Sequence, residues 1–201
     1  MAYHGYIPLI HQYSHVFESP RVLEIGVDVG ITTISIIQRL IHTHKSFNYV
    51  GVDIKIQDNV RSTLSYIYKL DGQDFNLVEE NSLKYLEDLQ EKFDIILIDG
   101  DHNYFTVAKE LSYLDKISHK ETLVICDDYN GRWSNRDLYY SERPGYENSL
   151  IATKRYETQK TGVKPAIDEF LDQNTGWVSH MFMPGEPIAL FQKENKNIKI
   201  S

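Results

Sequence analysis

The chain has 201 residues, of which 41% are hydrophobic and 25% are charged. These proportions are typical of one folded globular domain and exclude global disorder. The formal net charge of −8 disfavours a nucleic-acid partner held mainly by phosphate contacts, because such proteins need a basic face.

The sequence also bears on the cellular compartment. No apolar stretch approaches the roughly 20 residues that a membrane-spanning helix needs, and the first residues carry no basic segment followed by an apolar core. The lone cysteine, Cys126, excludes an intramolecular disulfide and a cysteine-based zinc cluster. We therefore expect a cytoplasmic protein with no membrane partner.

Short apolar runs alternate with amphipathic stretches, a pattern typical of a parallel sheet with helices on both faces. The predicted strands cover residues 21–25, 47–52, 75–78, 93–98, 122–126, 177–182 and 188–192. The predicted helices cover residues 31–41, 60–68, 83–89, 104–117 and 163–171. A short turn at 183–187 joins the last two strands without a helix, which implies one antiparallel strand. The sequence thus predicts an α/β, doubly wound, mostly parallel seven-stranded sheet with one antiparallel edge strand, in a single domain over residues 1–201.

Two segments lie outside this alternation. Residues 1–20 have apolar side chains at helical spacing, so we expect an N-terminal helical segment packed near the ligand cleft. Residues 129–161 are polar and aromatic and too long for an ordinary connection, which favours a lid or a substrate-binding insertion. The aromatic side chains expected to stack on a substrate ring, or else to form a subunit contact, are Trp133, Tyr139, Tyr140 and Tyr146.

A loop with two glycines, Glu24-Ile25-Gly26-Val27-Asp28-Val29-Gly30, connects the first strand to the first predicted sheet-flanking helix. Gly26 permits a tight turn and the close approach of a ligand, and Gly30 permits close packing of helix and strand. A dinucleotide site prefers Gly-x-Gly-x-x-Gly, and a carboxylate at Asp28 would repel a pyrophosphate. S-adenosylmethionine (SAM) has no phosphate and carries positive charge on its sulfur and its ammonium group. The acidic loop therefore favours SAM.

Further cofactor contacts are predicted at the following strand ends. Asp53, at the tip of the second strand, is placed to accept hydrogen bonds from ribose hydroxyls. Asn81 and Ser82, after the third strand, are placed to read the adenine ring, or to cap the next helix. The other predicted cofactor-binding residues are Glu24, Gly26, Gly30, Thr32, Ile54 and Asp99.

Acidic residues end the fourth and fifth strands, in the segments Asp99-Gly100-Asp101-His102 and Asp127-Asp128. Because neighbouring parallel strands lie about 4.8 Å apart, these side chains should share one small volume. Crowded carboxylates raise one another's pKa, and a divalent cation relieves the repulsion. Oxygen ligands suit Mg²⁺, with Mn²⁺ or Ca²⁺ as alternatives. The simpler alternatives are that Asp101 caps the next helix and that Asp127 and Asp128 bind loop amides.

The acidic-x-Gly-x-x-x-Gly loop, Asp53 and the order of strands resemble class I SAM-dependent methyltransferases over essentially the whole chain. The strand-end acids are similar to those of metal-dependent O-methyltransferases, both catechol-type enzymes and enzymes that methylate sugars. The resemblance implies a Rossmann-like fold, metal ligation by Asp99, Asp127 and Asp128, and a general base at Asp101 or His102. The insertion departs from the shorter catechol-type enzymes, so substrate identity does not carry over.

The sequence therefore predicts metal-assisted transfer of a methyl group from SAM to a hydroxyl of a sugar, a glycan or another small molecule. Related enzymes are often dimers, so a homodimer is one expectation. Three alternatives stay open: a metal-independent N- or C-methyltransferase, a nicotinamide-dependent oxidoreductase, and a non-catalytic interaction protein.

Overall fold

Strands and helices alternate through residues 6–181 and 187–198, the part of the chain that this computed structural model describes. The strands are β1 Arg21–Ile25, β2 Phe47–Asp53, β3 Gln73–Glu79, β4 Ile95–Ile98, β5 Leu123–Cys126, β6 Trp177–His180 and β7 Ile188–Gln192. The helices are α1 Tyr6–Ser14, α2 Ile31–Thr43, α3 Asp58–Ser65, α4 Ser82–Asp88, α5 Tyr104–Ser112, α6 Leu114–Ile117 and α7 Val163–Gln173. Among the described helices, none is both long and apolar enough to cross a bilayer.

The strands form one seven-stranded sheet in the order β3-β2-β1-β4-β5-β7-β6, which confirms the predicted fold class. β7 pairs antiparallel with both β5 and β6, so the one antiparallel strand lies beside the outermost strand. The turn predicted at 183–187 lies, except for Pro187, outside the described residues. Because β1 is flanked by β2 on one side and β4 on the other, the strand order reverses there and opens a crevice at the carboxyl ends of the strands.

Both faces of the sheet are covered, which explains the unbroken apolar strands. Alternate side chains of a strand point to opposite faces, so Leu23 joins the core under α4, α5 and α7, and Val22 joins the core under α1, α2 and α3. All four residues of β4 are buried. Complete burial of such a side chain stabilises the fold by about 1.5–3 kcal/mol.

Several predicted boundaries shift for identifiable reasons. β3 begins two residues earlier than its apolar pattern indicated, because Gln73 pairs with Phe47 of β2. The helix predicted over 104–117 is divided at Tyr113, whose backbone N–H turns to the carbonyls of Glu110 and Leu111 and closes α5. α6 then begins as a separate turn.

α1 ties the beginning of the described chain to its end. Residues 6–14 form the predicted helix, and residues 1–5 lie outside the described part. The Tyr13 hydroxyl donates to the Glu121 carbonyl at 2.6 Å and accepts from Asn195 Nδ2 at 2.8 Å. α1 therefore contacts both the segment before β5 and the segment after β7.

A carboxyl group is buried between α4 and α5. Glu110 is 1% exposed, and its Oε1 accepts a hydrogen bond from the Ser82 hydroxyl at 2.6 Å. Its Oε2 has no hydrogen-bond partner among the described atoms. Burial raises the pKa of Glu110 to about 8, although the Ser82 contact opposes the shift. The folded protein therefore holds this residue as the neutral acid at neutral pH.

We expect the Glu110→Gln variant to gain stability relative to the wild type as the pH rises. The unfolded chain ionises Glu110 near its usual pKa of 4.5, whereas the folded chain keeps the proton until about pH 8. Between these values the wild type loses about 1.4 kcal/mol of unfolding free energy per pH unit, or roughly 2–3 kcal/mol between pH 5 and 7. Urea unfolding at pH 5, 6, 7 and 8 measures the difference. The exposed Glu87→Gln variant is the matched control, and parallel profiles for the wild type and Glu110→Gln would contradict the assignment.

Candidate active site

The loop after β1 contacts β2 and the residue that follows β4 through backbone atoms. The Gly26 N–H donates to the Val52 carbonyl at 2.9 Å, and the residue has φ +95°. A Cβ at Gly26 would lie 2.0 Å from the Asp99 carbonyl oxygen. Gly30 also has a positive φ, +78°, and a Cβ there would lie 2.7 Å from Val60 of α3. The two glycines therefore bring the loop against β4 and α2 against α3.

Asp53, at the tip of β2, organises the same loop. Its Oδ2 accepts from the N–H groups of Val27 at 2.8 Å and Asp28 at 2.9 Å, and its Oδ1 accepts from the Lys55 N–H at 2.9 Å. Burial raises the pKa of Asp53, although these three contacts favour its charged form. The carboxylate thus links the ends of β1 and β2.

A pocket opens between this loop and the ends of β2, β3 and β4. Its space amounts to about 500 Å³, including the part open to solvent. The lining residues are Ile25, Gly26, Asp28, Val52, Asp53, Ile54, Glu80, Asn81, Ser82, Asp99, Gly100, Asp101, Tyr140, Tyr146 and Thr153. Five of these are acidic, and none of the described lining residues is basic. The pocket therefore suits a ligand with positive charge and disfavours a pyrophosphate.

Six of the nine predicted cofactor residues line this pocket: Gly26, Asp53, Ile54, Asn81, Ser82 and Asp99. Glu24, Gly30 and Thr32 are not among its described lining residues. Glu24 is fully buried, and its Oε2 accepts hydrogen bonds from the hydroxyls of Thr33 and Tyr49. Burial raises the pKa of Glu24 to about 8. Glu24 therefore links β1 to α2 and β2 as a neutral acid.

Asn81 and Ser82 bond to protein groups in this structure. Asn81 caps α4, because its Oδ1 accepts from the Leu83 N–H at 3.0 Å. Its Nδ2 donates to the Ile151 carbonyl at 2.8 Å and to the Thr153 hydroxyl at 2.9 Å. The Ser82 hydroxyl donates to Glu110. The predicted capping role of Asn81 is confirmed, and its amide also holds the insertion.

An acidic cluster with one imidazole, formed by Asp99, Asp127, Asp128 and His102, lies beside the pocket at the ends of β4 and β5. His102 Nδ1 lies 3.4 Å from Asp128 Oδ2, and His102 Nε2 lies 3.9 Å from Asp99 Oδ1. Asp127 lies close enough to Asp99 for its negative charge to raise the pKa of Asp99. The predicted convergence of the two strand tips is therefore present, and Asp99 belongs to both the cluster and the pocket.

Burial controls protonation in the acidic cluster. It raises the pKa of Asp99, and the negative charge of Asp127 raises it further. Burial also raises the pKa of Asp127, although the neighbouring His102 opposes the shift. The pKa of His102 is lowered by burial, which Asp127 counteracts. Both carboxyl groups are therefore weaker acids than usual, and the imidazole favours its neutral form.

The donor atoms of the cluster fit a hard divalent cation by type, since carboxylate oxygens are the ligands that such ions prefer. Their present arrangement is different: among residues 6–181 and 187–198, no group of three or more His, Cys, Asp or Glu side chains is placed to hold a metal ion. The His102 ring lies between Asp99 and Asp128. The Tyr6 hydroxyl, in addition, donates to Asp99 Oδ2 at 2.6 Å.

Asp101 turns away from the acidic cluster and toward the pocket. Its Oδ1 accepts from the Tyr140 N–H at 2.9 Å, and burial raises its pKa to about 6. The alternative that Asp101 merely caps α5 is wrong, because Asn103 is the cap and accepts from the Thr106 N–H at 2.8 Å. Of the two predicted bases, only His102 lies within the acidic cluster.

Nine site residues were not among the predicted cofactor or catalytic residues: Tyr6, Ile25, Asp28, Val52, Glu80, Gly100, Tyr140, Tyr146 and Thr153. A signal existed for Glu80, which directly follows β3 as Asp53 ends β2. The aromatic insertion residues were expected to face a substrate ring or to form a subunit contact. Tyr140 and Tyr146 line the same pocket as the β1 loop. Local sequence carries no signal for that contact.

The model of a methyltransferase domain matches residues 23–129, just over half of the chain. No curated protein matches the sequence significantly. A structure of a methyltransferase from Podospora anserina with bound S-adenosylhomocysteine (SAH) has a TM-score of 0.59 at 14% identity, covering 96% of this chain and 80% of that chain. An O-methyltransferase from Streptomyces achromogenes, involved in tomaymycin synthesis and in complex with SAM, has a TM-score of 0.57 at 14% identity, covering 96% and 81%.

A third similar structure is a TDP-rhamnose 3'-O-methyltransferase of calicheamicin biosynthesis, with a TM-score of 0.57 at 12% identity, covering 93% of this chain and 76% of that chain. At these identities the structures establish a common fold. The family assignment comes from the domain match, which begins within β1 and ends just after β5.

We expect the Gly26→Ala variant to be strongly destabilised, because the new methyl group would meet the Asp99 carbonyl. Gly145→Ala is the matched control, since Gly145 has φ +90° with no atom within 4 Å of the added Cβ. The control should lose about 1–2 kcal/mol from backbone strain alone, and Gly26→Ala at least about 3 kcal/mol. Urea unfolding measures both, and equal losses would contradict the close backbone contact.

Proposed function

Because the chain belongs to a family of class I SAM-dependent methyltransferase domains, we propose that it methylates a hydroxyl oxygen of a small molecule, with a sugar as the first acceptor to test. The observation that carries this proposal is the acidic pocket at the strand crevice, which adjoins the acidic cluster through Asp99. Cofactor and acceptor would then meet at the end of β4.

The pocket supports SAM as the cofactor by its charge. The Asp53 carboxylate has lone pairs besides those that accept hydrogen bonds from the loop N–H groups. These lone pairs accept hydrogen bonds from the ribose hydroxyls. Asp28 and Asp99 complement the ammonium and sulfonium charges. Gly26 leaves room for the cofactor chain because it has no side chain. A nicotinamide dinucleotide is disfavoured, because its pyrophosphate would face the same carboxylates.

His102 is the proposed general base. Its ring lies in the acidic cluster, and its lowered pKa leaves a lone pair available near neutral pH. When bound, SAM would supply the methyl group for the acceptor oxygen, and His102 would take the proton of the acceptor hydroxyl. Alignment of the two reactants can supply about 7–11 kcal/mol of the rate enhancement.

We propose that Asp99, Asp127 and Asp128 hold a divalent cation, with Mg²⁺ the first choice by ligand type. Bound there, the ion would lower the pKa of the acceptor hydroxyl. The second candidate is a metal-independent methyltransferase, which is favoured by the position of the His102 ring between Asp99 and Asp128. The two candidates differ in whether turnover needs the ion.

The acceptor is proposed by chemical class. A sugar hydroxyl comes first because a TDP-rhamnose methyltransferase shares the fold, and a phenolic small molecule comes second. We propose that residues 129–161 act as the lid of a single domain, with the part before Tyr140 nearest the acceptor. A cytoplasmic location is part of the proposal, in keeping with the buried free thiol of Cys126.

We expect wild-type protein to bind SAM in calorimetry and to methylate members of a panel of sugar and phenolic hydroxyl compounds. Dialysis against a chelator should abolish turnover without unfolding the protein, and added Mg²⁺ should restore it. Unchanged turnover after chelation would reject the metal and leave the metal-independent candidate. No binding of SAM would reject the proposed function altogether.

We expect His102→Gln and Asp128→Asn to lower kcat by roughly 10²–10⁴, while the Kd for SAM stays within about threefold of the wild type. Both side chains lie in the acidic cluster and outside the cofactor pocket. Asp53→Asn should instead weaken SAM binding, because Asp53 lines the pocket and orders the loop. Equal losses of binding and turnover in all three variants would contradict this division of roles.

A further inference from the structure

Part of the insertion is closed on itself by side chains. The Ser141 hydroxyl donates to the Thr153 carbonyl at 2.7 Å. Arg155 donates to both carboxylate oxygens of Glu142, at 2.6 and 2.8 Å. Residues 140–155, which we call the strap, therefore form a loop with a defined base.

The strap is tied to the sheet at two separate places. Near the end of β4, the Tyr140 N–H donates to Asp101 Oδ1 at 2.9 Å. Near the end of β3, Asn81 Nδ2 donates to the Ile151 carbonyl at 2.8 Å and to the Thr153 hydroxyl at 2.9 Å. The pocket lies between these two strand ends, so the strap spans its mouth.

Two aromatic rings of the strap line the pocket, and they contact each other. The rings of Tyr140 and Tyr146 meet edge to face with centroids 5.5 Å apart. Burial and the negative charges of Asp28, Asp99 and Asp53 raise the pKa of the Tyr140 hydroxyl. The Arg143 guanidinium lies 5.5 Å from the Tyr140 ring centroid. The Lys55 ammonium, two residues beyond β2, lies 5.6 Å from the Tyr146 ring centroid. Asp53 and Asp28 also act on Tyr146, whereas of the two rings Asp99 acts on Tyr140. The rings therefore share the middle of the cleft, and Tyr140 lies nearer the Asp99 end.

We infer that the strap is the outer wall of the cofactor pocket, with Tyr140 against the sulfonium end of the cofactor and Tyr146 against its adenosyl end. The inference rests on the proposed function, in which this pocket binds SAM. In this arrangement the strap contacts the cofactor, and the acceptor binds at the acidic cluster on the other side of Asp99.

The two ends of the cofactor differ in charge, and this difference distinguishes the roles of Tyr140 and Tyr146. Tyr140 lies at the end marked by Asp99, where the positive sulfur would sit, and an aromatic face attracts a cation. SAH lacks that charge but keeps the adenosyl group. Tyr146 lies on the side of Lys55 and would contact the adenosyl group, which SAM and SAH share. Its ring would therefore bind both molecules.

Calorimetric titration of SAM and of SAH into tyrosine variants tests the inference. We expect Tyr146→Ala to raise both dissociation constants by about tenfold. Tyr140→Ala should raise the Kd for SAM by about tenfold and that for SAH at least about threefold less. Tyr140→Phe, which keeps the ring, should bind SAM as the wild type does. Tyr156→Ala is the matched control, because Tyr156 lies just beyond the strap and is absent from the described pocket lining.

A second measurement uses the wild type alone. Trypsin cleavage after Lys154 and Arg155, in the strap, should slow at least about tenfold with saturating SAM, while cleavage after the exposed Lys69 stays unchanged. The inference is overturned if both alanine variants bind SAM and SAH as the wild type does, or if SAM does not slow the cleavage. The proposed function would stand in either case. Wild-type protein that binds neither SAM nor SAH would overturn both.

Discussion

The backbone contact between Gly26 and Asp99 is the constraint on which the site depends. A single Cβ at Gly26 would overlap the Asp99 carbonyl, so β1 and β4 can reach this spacing only with glycine there. The contact brings the Asp53-ordered loop beside the acidic cluster at the next strand end. A methyl donor held by the loop and an acceptor held at the cluster would consequently be neighbours.

Charge is distributed unevenly around this contact. Burial keeps the carboxyl groups of Glu24 and Glu110 neutral at neutral pH. Asp28 and Asp53 line the pocket itself, and the N–H groups that bind Asp53 favour its charged form although burial raises its pKa. The crevice can therefore attract a cation, while the buried acids add little charge of their own.

The sequence predicted the sheet, the β1 loop and the meeting of the two acidic strand tips, because periodicity locates strand ends and parallel strands end on one edge. It did not predict where side chains turn beyond those ends. Asn81 faces the insertion and Asp101 holds Tyr140, since both find partners more than 30 residues away in the chain. Such contacts depend on how an irregular segment folds back, for which hydrophobic spacing carries no information.

The opening helix reaches two distant places at once. Tyr6 bonds to Asp99 in the acidic cluster, and Tyr13 bonds to Asn195 beyond the last strand. A displacement of this helix would move the Tyr6 hydroxyl, which is a hydrogen-bond partner of Asp99. The position of this helix therefore bears on the acid that the cofactor pocket and the acidic cluster have in common.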